Sequence, residues 1–265
     1  MSTTLAIVAD THINSTVGLC CPTITLDDGG EYRPSKGQRW LWRNWVEFWD
    51  YVPKNSWVVV NGDLADKDIK LRGYQNISRN PASIQRMVLE TMTPALDKAA
   101  RVFIVRGTGS HTGKSSHLEE EFAKDIGATK TPDGAYSWWS LCLECEGVLF
   151  DVMHHASMGR KPWTTPNSLN GLAAELMIQF HCSKLPDVAI RSHNHRFAET
   201  GLNYPIRVVA TPAWQLSTEY ASRIGASPAD IGGLVFDCEA GQYEMTVKRY
   251  QPGRAQPWKL SPHKT

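Results

Sequence analysis

Leu5-Ala-Ile-Val-Ala-Asp-Thr-His12 is an apolar run that ends in a carboxylate and an imidazole. The same change follows the apolar run Trp57–Val60, which leads to Gly62-Asp63, and the run Val188–Ile190, which leads to His193-Asn-His195. Short apolar runs bounded by turn-forming residues are typical of buried strands. In layered folds of strands and helices, the open ends of the central strands are where ligands bind. The sequence therefore predicts a layered α/β fold with polar side chains gathered at its strand ends.

These strand ends carry the side-chain types that bind transition metals. In an extended segment, residues two apart point the same way, so Asp10 with His12, and His193 with His195, are each expected to present two ligand atoms together. A further pair, His154-His155, follows the apolar run Val148–Met153. Each motif alone has a plain structural explanation, since Gly-Asp after a strand is commonly only a turn. Their joint occurrence at four strand ends favours a metal site.

Taken in order, the motifs resemble those of the calcineurin-like metallophosphoesterases, and most of all those of the compact bacterial and phage members. That family carries Asp-x-His, Gly-Asp, Gly-Asn-His, a His after a later strand, and Gly-His-x-His. The corresponding residues here are Asp10-Thr-His12, Gly62-Asp63, Gly107-Thr-Gly-Ser-His111, His154 and Ser192-His-Asn-His195. The match runs from about Leu5 to Phe197, which is most of the chain.

The resemblance implies a fold, a ligand set and a reaction. The fold is a four-layer α-β-β-α sandwich with two mixed β-sheets. Two divalent transition-metal ions are implied, drawn from Mn, Fe, Zn and Ni, with Mn the first choice in vitro. The reaction is hydrolysis of a phosphoester by in-line attack of a metal-bridging hydroxide. The first metal would be held by Asp10, His12 and His195, and the second by His154 and His193, with Asp63 bridging both; His155 would then lie behind the ligands or be exposed.

The third motif departs from the family pattern. The family's Asn ligand should directly follow Gly107, but Thr108 stands there, and the expected His comes late, at His111. In one interpretation His111 faces the phosphate as a catalytic acid, while Thr108 or water completes the second metal site. In the other, His111 is itself the missing ligand. The first is favoured, because water fills open metal positions readily.

Three more residues are candidates for contact with substrate. Thr108 lies in the altered motif, and Arg160 and Lys161 lie in the loop that follows His154, where two cations would suit an anionic phosphoester. Trp163, in the same loop, is available to stack on a base or a ring.

Composition agrees with an enzyme that is not specialised for long duplex DNA. The 265 residues are 42% hydrophobic, enough for a sizeable core, and we expect one domain over residues 1–265. Lys and Arg number 28 against 27 Asp and Glu, so the net charge is +1 and no global basic field attracts nucleic acid. The N-terminal segment resembles neither a signal peptide nor a membrane span, which predicts a cytoplasmic protein. In that compartment all six cysteines are expected to be reduced.

Periodicity also predicts several elements around the site. A helix over residues 38–52, preceded by Ser35, places Leu41, Trp45, Phe48 and Trp49 on one apolar stripe, which indicates core packing rather than a base-stacking platform. Helices are also expected over residues 82–96 and 172–180. Late strands are expected near residues 207–211, 231–236 and 243–249.

The function predicted from the sequence is binuclear metal-dependent hydrolysis of phosphodiesters, with nucleotides and nucleic acid among the substrates left open. The alternatives are a phosphomonoesterase, a scaffold of the same fold that has lost catalysis, as in the retromer subunit of this family, and a metalloprotein that uses the site only for structure or regulation. The oligomeric state is not predicted.

Overall fold

Two mixed β-sheets form the centre of the computed structural model, which describes residues 2–67, 75–159, 161, 163–223 and 227–253. The six-stranded sheet has the order β13-β12-β1-β4-β5-β6, and the five-stranded sheet has the order β10-β11-β9-β8-β7. The first contains β1 (Ser2–Val8), β4 (Ser56–Asn61), β5 (Ala99–Val105), β6 (Ser137–Trp138), β12 (Ile231–Glu239) and β13 (Gln242–Tyr250). The second contains β7 (Leu141–Cys145), β8 (Val148–Val152), β9 (Val188–Arg191), β10 (Ala198–Glu199) and β11 (Arg207–Ala210). A small hairpin pairs β2 (Ile24–Thr25) with β3 (Glu31–Tyr32).

The longer helices pack against the outer faces of the sheets, and the two shortest lie in loops. They are α1 (Lys36–Tyr51), α2 (Pro81–Leu96), α3 (Gly109–Thr112), α4 (His117–Asp125), α5 (Thr165–Ile178) and α6 (Glu219–Arg223). Among the described residues, no helix has the length and apolar character needed to cross a bilayer.

Alternate residues of each central strand pack into different cores, which creates the layers. In β1, Leu5 and Ile7 join the core between the two sheets, while Ala6 and Val8 join the core beneath α1, α2 and α4. Strand β9 does the same, since Val188 and Ile190 face the other sheet and Ala189 faces α5. Because side chains alternate across a strand, each strand of a sheet that is buried on both faces has a continuous apolar sequence. The four-layer sandwich with two mixed sheets is confirmed.

Helix α1 shows how local sequence fixes an element. Ser35 caps the helix, accepting a hydrogen bond from the Gln38 backbone N–H, and the Gln38 side chain accepts one from the Ser35 backbone N–H. Trp45 is fully buried and packs edge-on against Trp49 and Trp214. The predicted stripe is therefore core packing, as expected.

Two expectations about the second half of the chain are wrong. Helix α5 begins at Thr165, not near Leu172, because Pro166 occupies its first turn, where a missing N–H costs nothing. The cysteines are not all reduced, since Cys142 and Cys182 form a disulfide with their Cα atoms 5.6 Å apart. The partners lie 40 residues apart, so only the tertiary fold brings them within bridging distance. The other four cysteines are free and buried.

Candidate metal centre

The carboxyl ends of parallel strands from both sheets meet at one edge of the sandwich. Strand β1 runs parallel to β4, and β8 runs parallel to β9, so the loops after these four strands converge there. The first two loops are fastened to each other by backbone hydrogen bonds of 3.0 Å, from Asp10 N to Gly62 O and from His12 N to Asp63 O. All six side chains predicted as ligands lie at this edge.

The ligands leave the strands through tight turns rather than in extended backbone. The φ angle is positive at five of the six, with values of 51° at Asp10, 43° at His12, 50° at Asp63, 68° at His193 and 53° at His195. The expectation that alternation along a strand aligns each Asp-x-His or His-x-His pair is therefore wrong. Each turn changes the direction in which its side chains point. Left-handed backbone at non-glycine residues costs free energy and concentrates at functional sites.

One ligand group contains Asp10, His12 and His195. Asp10 Oδ1 lies 3.2 Å from His195 Nε2, and His12 Nε2 lies 3.2 Å from the same nitrogen. Metal–ligand bonds of ~2.1 Å place neighbouring ligand atoms roughly 3–3.5 Å apart, so these separations fit one shared ion.

A second group surrounds Asp63. His154 Nε2 lies 3.2 Å from Asp63 Oδ2, and His193 Nδ1 lies 3.6 Å from the same oxygen. His12 Nε2 approaches that oxygen to 3.9 Å, so Asp63 lies between the two groups.

Two atoms at the centre of these groups are buried without hydrogen-bond partners. They are Asp10 Oδ1 and His154 Nε2, which lie 3.9 Å apart on fully buried side chains. Buried polar atoms are ordinarily hydrogen-bonded, so two such atoms aimed at one volume indicate a place where a cation would be favourable. The donor set of carboxylates and imidazoles fits a divalent transition metal.

Other groups fix the orientation of the ligands. His12 Nδ1 lies 2.8 Å from Asp66 Oδ1, and His154 Nδ1 lies 2.6 Å from the Asn61 carbonyl oxygen, which leaves both Nε2 atoms for an ion. The second oxygen of Asp10 accepts the backbone N–H of His193 at 3.2 Å. Metal-binding histidines ordinarily donate their other ring N–H in this way.

The family comparison agrees with this geometry. The model of the calcineurin-like phosphoesterase family matches residues 3–197. The chain belongs to that family. Membership implies a centre for two metal ions, and the residues described above supply its carboxylate and imidazole groups.

Several solved structures are similar to this chain at low sequence identity. A dimetal phosphatase from Danio rerio is 12% identical with a TM-score of 0.47, covering 93% of this chain and 96% of its own. A Vps29 single mutant from Entamoeba histolytica is 9% identical with a TM-score of 0.46, covering 94% and 100%. Vacuolar protein sorting 29 from Cryptosporidium parvum is 13% identical with a TM-score of 0.42, covering 95% and 99%. No curated protein matches the chain.

His111 lies beside the group formed by Asp10, His12 and His195, and its hydrogen bond is to Asp66 rather than to Asp10. Its Nδ1 lies 2.9 Å from Asp66 Oδ1, and its ring stacks edge-on against His12 at a centroid distance of 4.7 Å. Helix α3 carries it to the wall of a cavity of about 280 Å³ that opens on His12, Asp63 and His195. Burial lowers the pKa of His111, but the hydrogen bond and charge of Asp66 outweigh burial and raise it.

Thr108, Arg160 and Lys161 are the residues predicted to contact the substrate. Thr108 donates its backbone N–H to Asp63 Oδ1 at 2.5 Å, and its hydroxyl also reaches His155 and His193. Lys161 is exposed, and no described contact joins its side chain to the ligands. Arg160 lies outside the described residues.

Three functional residues were missed at the sequence level. The carboxylate of Asp66 contacts both His12 and His111. Its position three residues after Asp63 could have indicated a role at the site, but in the sequence it resembles an ordinary loop residue. Glu119 is fully buried and accepts the backbone N–H groups of Gly107 and Leu64, which joins the loops after β4 and β5; helix α4, which carries it, was not predicted. Arg196 directly follows a ligand and lines the cavity.

Charge at the centre is balanced between carboxylates and imidazoles. Burial opposes ionisation of Asp10 and Asp63, but nearby histidines outweigh it and lower the pKa of both carboxyls. Burial likewise opposes the charged form of His154, yet Asp63 and Asp10 raise its pKa to about 9. Burial, reinforced by the charge of Asp63, raises the pKa of Glu119 to about 7. Asp10 and Asp63 are therefore ionised, which is the form that binds a cation.

Two glycines permit this close packing. Gly62 has a φ of 78°, and a Cβ there would overlap the His154 ring. A Cβ at Gly107 would overlap the backbone and carboxylate of Asp63. The glycines of the second and third motifs are thus required by space around the ligands.

Proposed function

We propose that this chain is a binuclear metal-dependent phosphodiesterase. The observation that carries the proposal is the buried pair of unpartnered atoms, Asp10 Oδ1 and His154 Nε2, at the junction of two ligand groups that share Asp63. In this assignment Asp10, His12 and His195 would hold one ion, His154 and His193 would hold the other, and Asp63 would serve both. Two divalent ions held there would lower the pKa of a bound water and offset negative charge on the phosphoryl group.

His111 acts as the proton donor to the leaving oxygen. Its Nδ1 is occupied by Asp66, which leaves Nε2 for a substrate atom in the cavity that His111 lines. A positioned acid of this kind contributes ~10²–10⁴ to the rate. We therefore prefer the acid role of His111 to the role of a metal ligand.

We infer a diester rather than a monoester from the charge and the shape of the cavity lining. A diester has one negative charge and a second organic arm, whereas a monoester brings close to two charges to its site. Arg196 is the one Arg or Lys among the described residues that line the cavity, and Tyr220 of α6 offers a ring 61% exposed at its edge. One cation and an open aromatic wall suit a singly charged ester with an extended arm.

Arg196 is poised to meet that charge. It is 9% exposed, its Nη1 has no hydrogen-bond partner, and Nη2 has one long hydrogen bond of 3.4 Å to the Ser227 carbonyl oxygen. No described carboxylate forms an ion pair with it. A buried guanidinium without a counter-ion is costly unless an anion offsets it, and the substrate phosphoryl group is that anion.

The test compares hydrolysis of bis-p-nitrophenyl phosphate and p-nitrophenyl phosphate by protein supplied with Mn²⁺. We expect chelator-sensitive turnover with a larger kcat/KM for the diester. Asp63→Asn should lower kcat/KM by at least about 100-fold, since removing a group that only supports a metal ligand already costs about 10–100-fold. The matched control is His117→Ala, because the side chain of His117 is 64% exposed and forms an ion pair with Glu121, away from the candidate ligands. Turnover that resists chelation, or that favours the monoester, would overturn the proposal.

A further inference from the structure

The family pattern supplies an amide oxygen to the second metal at the position that Thr108 occupies here. A neutral hydroxyl is a weak ligand, so this chain needs another donor if its second ion is to be held tightly. We propose that His155 is that donor and completes the second metal site in place of the amide. The inference rests on the proposed metal centre but not on catalysis by it.

The geometry places Thr108 at the middle of the relevant donors. Its Oγ1 lies 2.9 Å from His155 Nε2, 3.1 Å from His193 Nδ1 and 3.2 Å from Asp63 Oδ2. Ligand atoms around one ion are separated by roughly 3–3.5 Å, given metal–nitrogen bonds of ~2.1 Å. His155 therefore stands at ligand spacing from the same hydroxyl that His193 and Asp63 contact.

The three imidazoles also face one another. One nitrogen from each of His154, His155 and His193 lies within 4.8 Å of the other two. The ring centroids are 4.7 Å apart for His154 and His155, 4.9 Å for His155 and His193, and 5.3 Å for His154 and His193. Adjacent residues in a strand point to opposite faces, but the chain leaves β8 at Val152 and both rings turn toward the site.

The ligand chemistry of imidazole is consistent with His155 taking the place of the family's amide oxygen. Imidazole suits Fe, Ni and Zn, and it binds these ions more strongly than a hydroxyl does. The side chain of His155 is exposed, so its replacement removes no core packing. The second site would then contain three imidazoles with Asp63, and the ion would replace the contacts that Thr108 Oγ1 makes with His155 Nε2 and His193 Nδ1.

The experiment measures metal stoichiometry rather than turnover. Wild type, His155→Ala and the control His117→Ala are loaded with Mn²⁺, and bound ions are counted by mass spectrometry and titration calorimetry. We expect two ions in wild type and in the control. His155→Ala should keep the first ion and bind the second at least about 10–100-fold more weakly. Loss of the spin-coupled Mn pair in the electron paramagnetic resonance spectrum would accompany this change.

A rescue variant makes the test sharper. In the double variant His155→Ala with Thr108→Asn, the amide of the family pattern returns, and the second ion should bind again. Thermal unfolding of each apo variant checks that folding is intact. The inference is overturned if His155→Ala binds two ions with unchanged affinity, if the rescue variant does not regain the second ion, or if wild type itself holds only one. Wild type that binds two ions but hydrolyses no ester would instead remove the proposed function and leave His155 as a ligand.

Discussion

At the residue scale, a single carboxylate connects the metal site with the proposed acid. Asp66 Oδ1 contacts Nδ1 of His12 at 2.8 Å and Nδ1 of His111 at 2.9 Å. Burial opposes the ionised form of Asp66, but the two histidines outweigh burial and hold its pKa well below the usual range. One side chain thus sets the orientation of a ligand and of the group that meets the leaving oxygen.

We therefore expect Asp66→Asn to lower both metal affinity and turnover. The amide keeps an acceptor oxygen but loses the charge that holds two imidazole N–H groups. Affinity for the first ion should fall about 10–100-fold, and kcat should fall at saturating Mn²⁺ as well. Calorimetric titration and steady-state kinetics measure the two effects. Asp125→Asn, at the exposed end of α4, is the control. Unchanged Mn²⁺ affinity in Asp66→Asn would show that Asp66 does not support His12.

Arg196 allows a prediction in which binding and stability move differently. Arg196→Met removes the proposed contact with the phosphoryl charge, so KM for the diester should rise about tenfold while kcat changes less. The same change removes a buried charge that has no carboxylate partner among the described residues, so the free energy of unfolding should stay level or increase. Urea denaturation and kinetics test both parts, with the exposed Arg101→Met as control. A loss of several kcal/mol in stability with no change in KM would mark Arg196 as purely structural.

At the element scale, the sequence predicted the strands that deliver the ligands but not the geometry of delivery. The apolar runs before Asp10, Asp63, His154 and His193 are strands, because burial on both faces leaves a continuous apolar signature. The turns that follow depend on hydrogen bonds between distant loops, such as Asp10 N to Gly62 O, which no local pattern records. The sequence therefore predicted which residues come together, but it did not predict the directions in which their side chains point.

Helix α4 was missed for a different reason. Its apolar positions Leu118 and Phe122 are four apart, which is a helical signal, but only two turns form and the surrounding Gly, Ser and Lys residues resemble a loop. The helix is stabilised by what it contacts. Glu119 joins the loops of the site, and Glu120 accepts the backbone N–H groups of Tyr136 and Ser137, each at 2.9 Å.

Glu120 gives a pH-dependent prediction for this element. Burial opposes its charged form, but the hydrogen bonds from Ser137 and Tyr136 outweigh burial and lower its pKa. A lowered pKa in the folded state means that the stabilisation is present above the unfolded value and is lost as pH falls through the folded value. Glu120→Gln should cost about 1–2 kcal/mol at pH 7, and the difference from wild type should shrink below about pH 4.

Urea denaturation of Glu120→Gln at several pH values measures this effect. The exposed neighbour Glu121→Gln is the control, since its side chain is 51% exposed and should change stability little. A deficit that is equal at pH 7 and pH 3 would indicate lost packing rather than the lost charge.

At the scale of the whole molecule, the metal centre joins the two sheets. Asp10 and Asp63 follow strands of the six-stranded sheet, whereas His154 and His193 follow strands of the five-stranded sheet. In the proposed assignment each ion would therefore have ligands from both sheets, Asp10 and Asp63 with His195 for the first ion, and Asp63 with His154 and His193 for the second. Without ions, the charge of the buried Asp10 and Asp63 is compensated by imidazoles and by hydrogen bonds from the backbone N–H groups of His193 and Thr108.

The molecule should consequently unfold at a lower temperature once its ions are removed. An ion present at ~100 times its dissociation constant adds about 2.7 kcal/mol to the folded state, which for a chain of this size raises the melting temperature by roughly 5–10 °C. Scanning calorimetry with and without a chelator measures the shift, and readdition of Mn²⁺ should restore it. Asp63→Asn should show a much smaller shift, because it lacks the group shared by both ions, while His117→Ala should behave as wild type. Equal melting temperatures with and without Mn²⁺ in wild type would mean that the ligands from the two sheets do not hold a common centre.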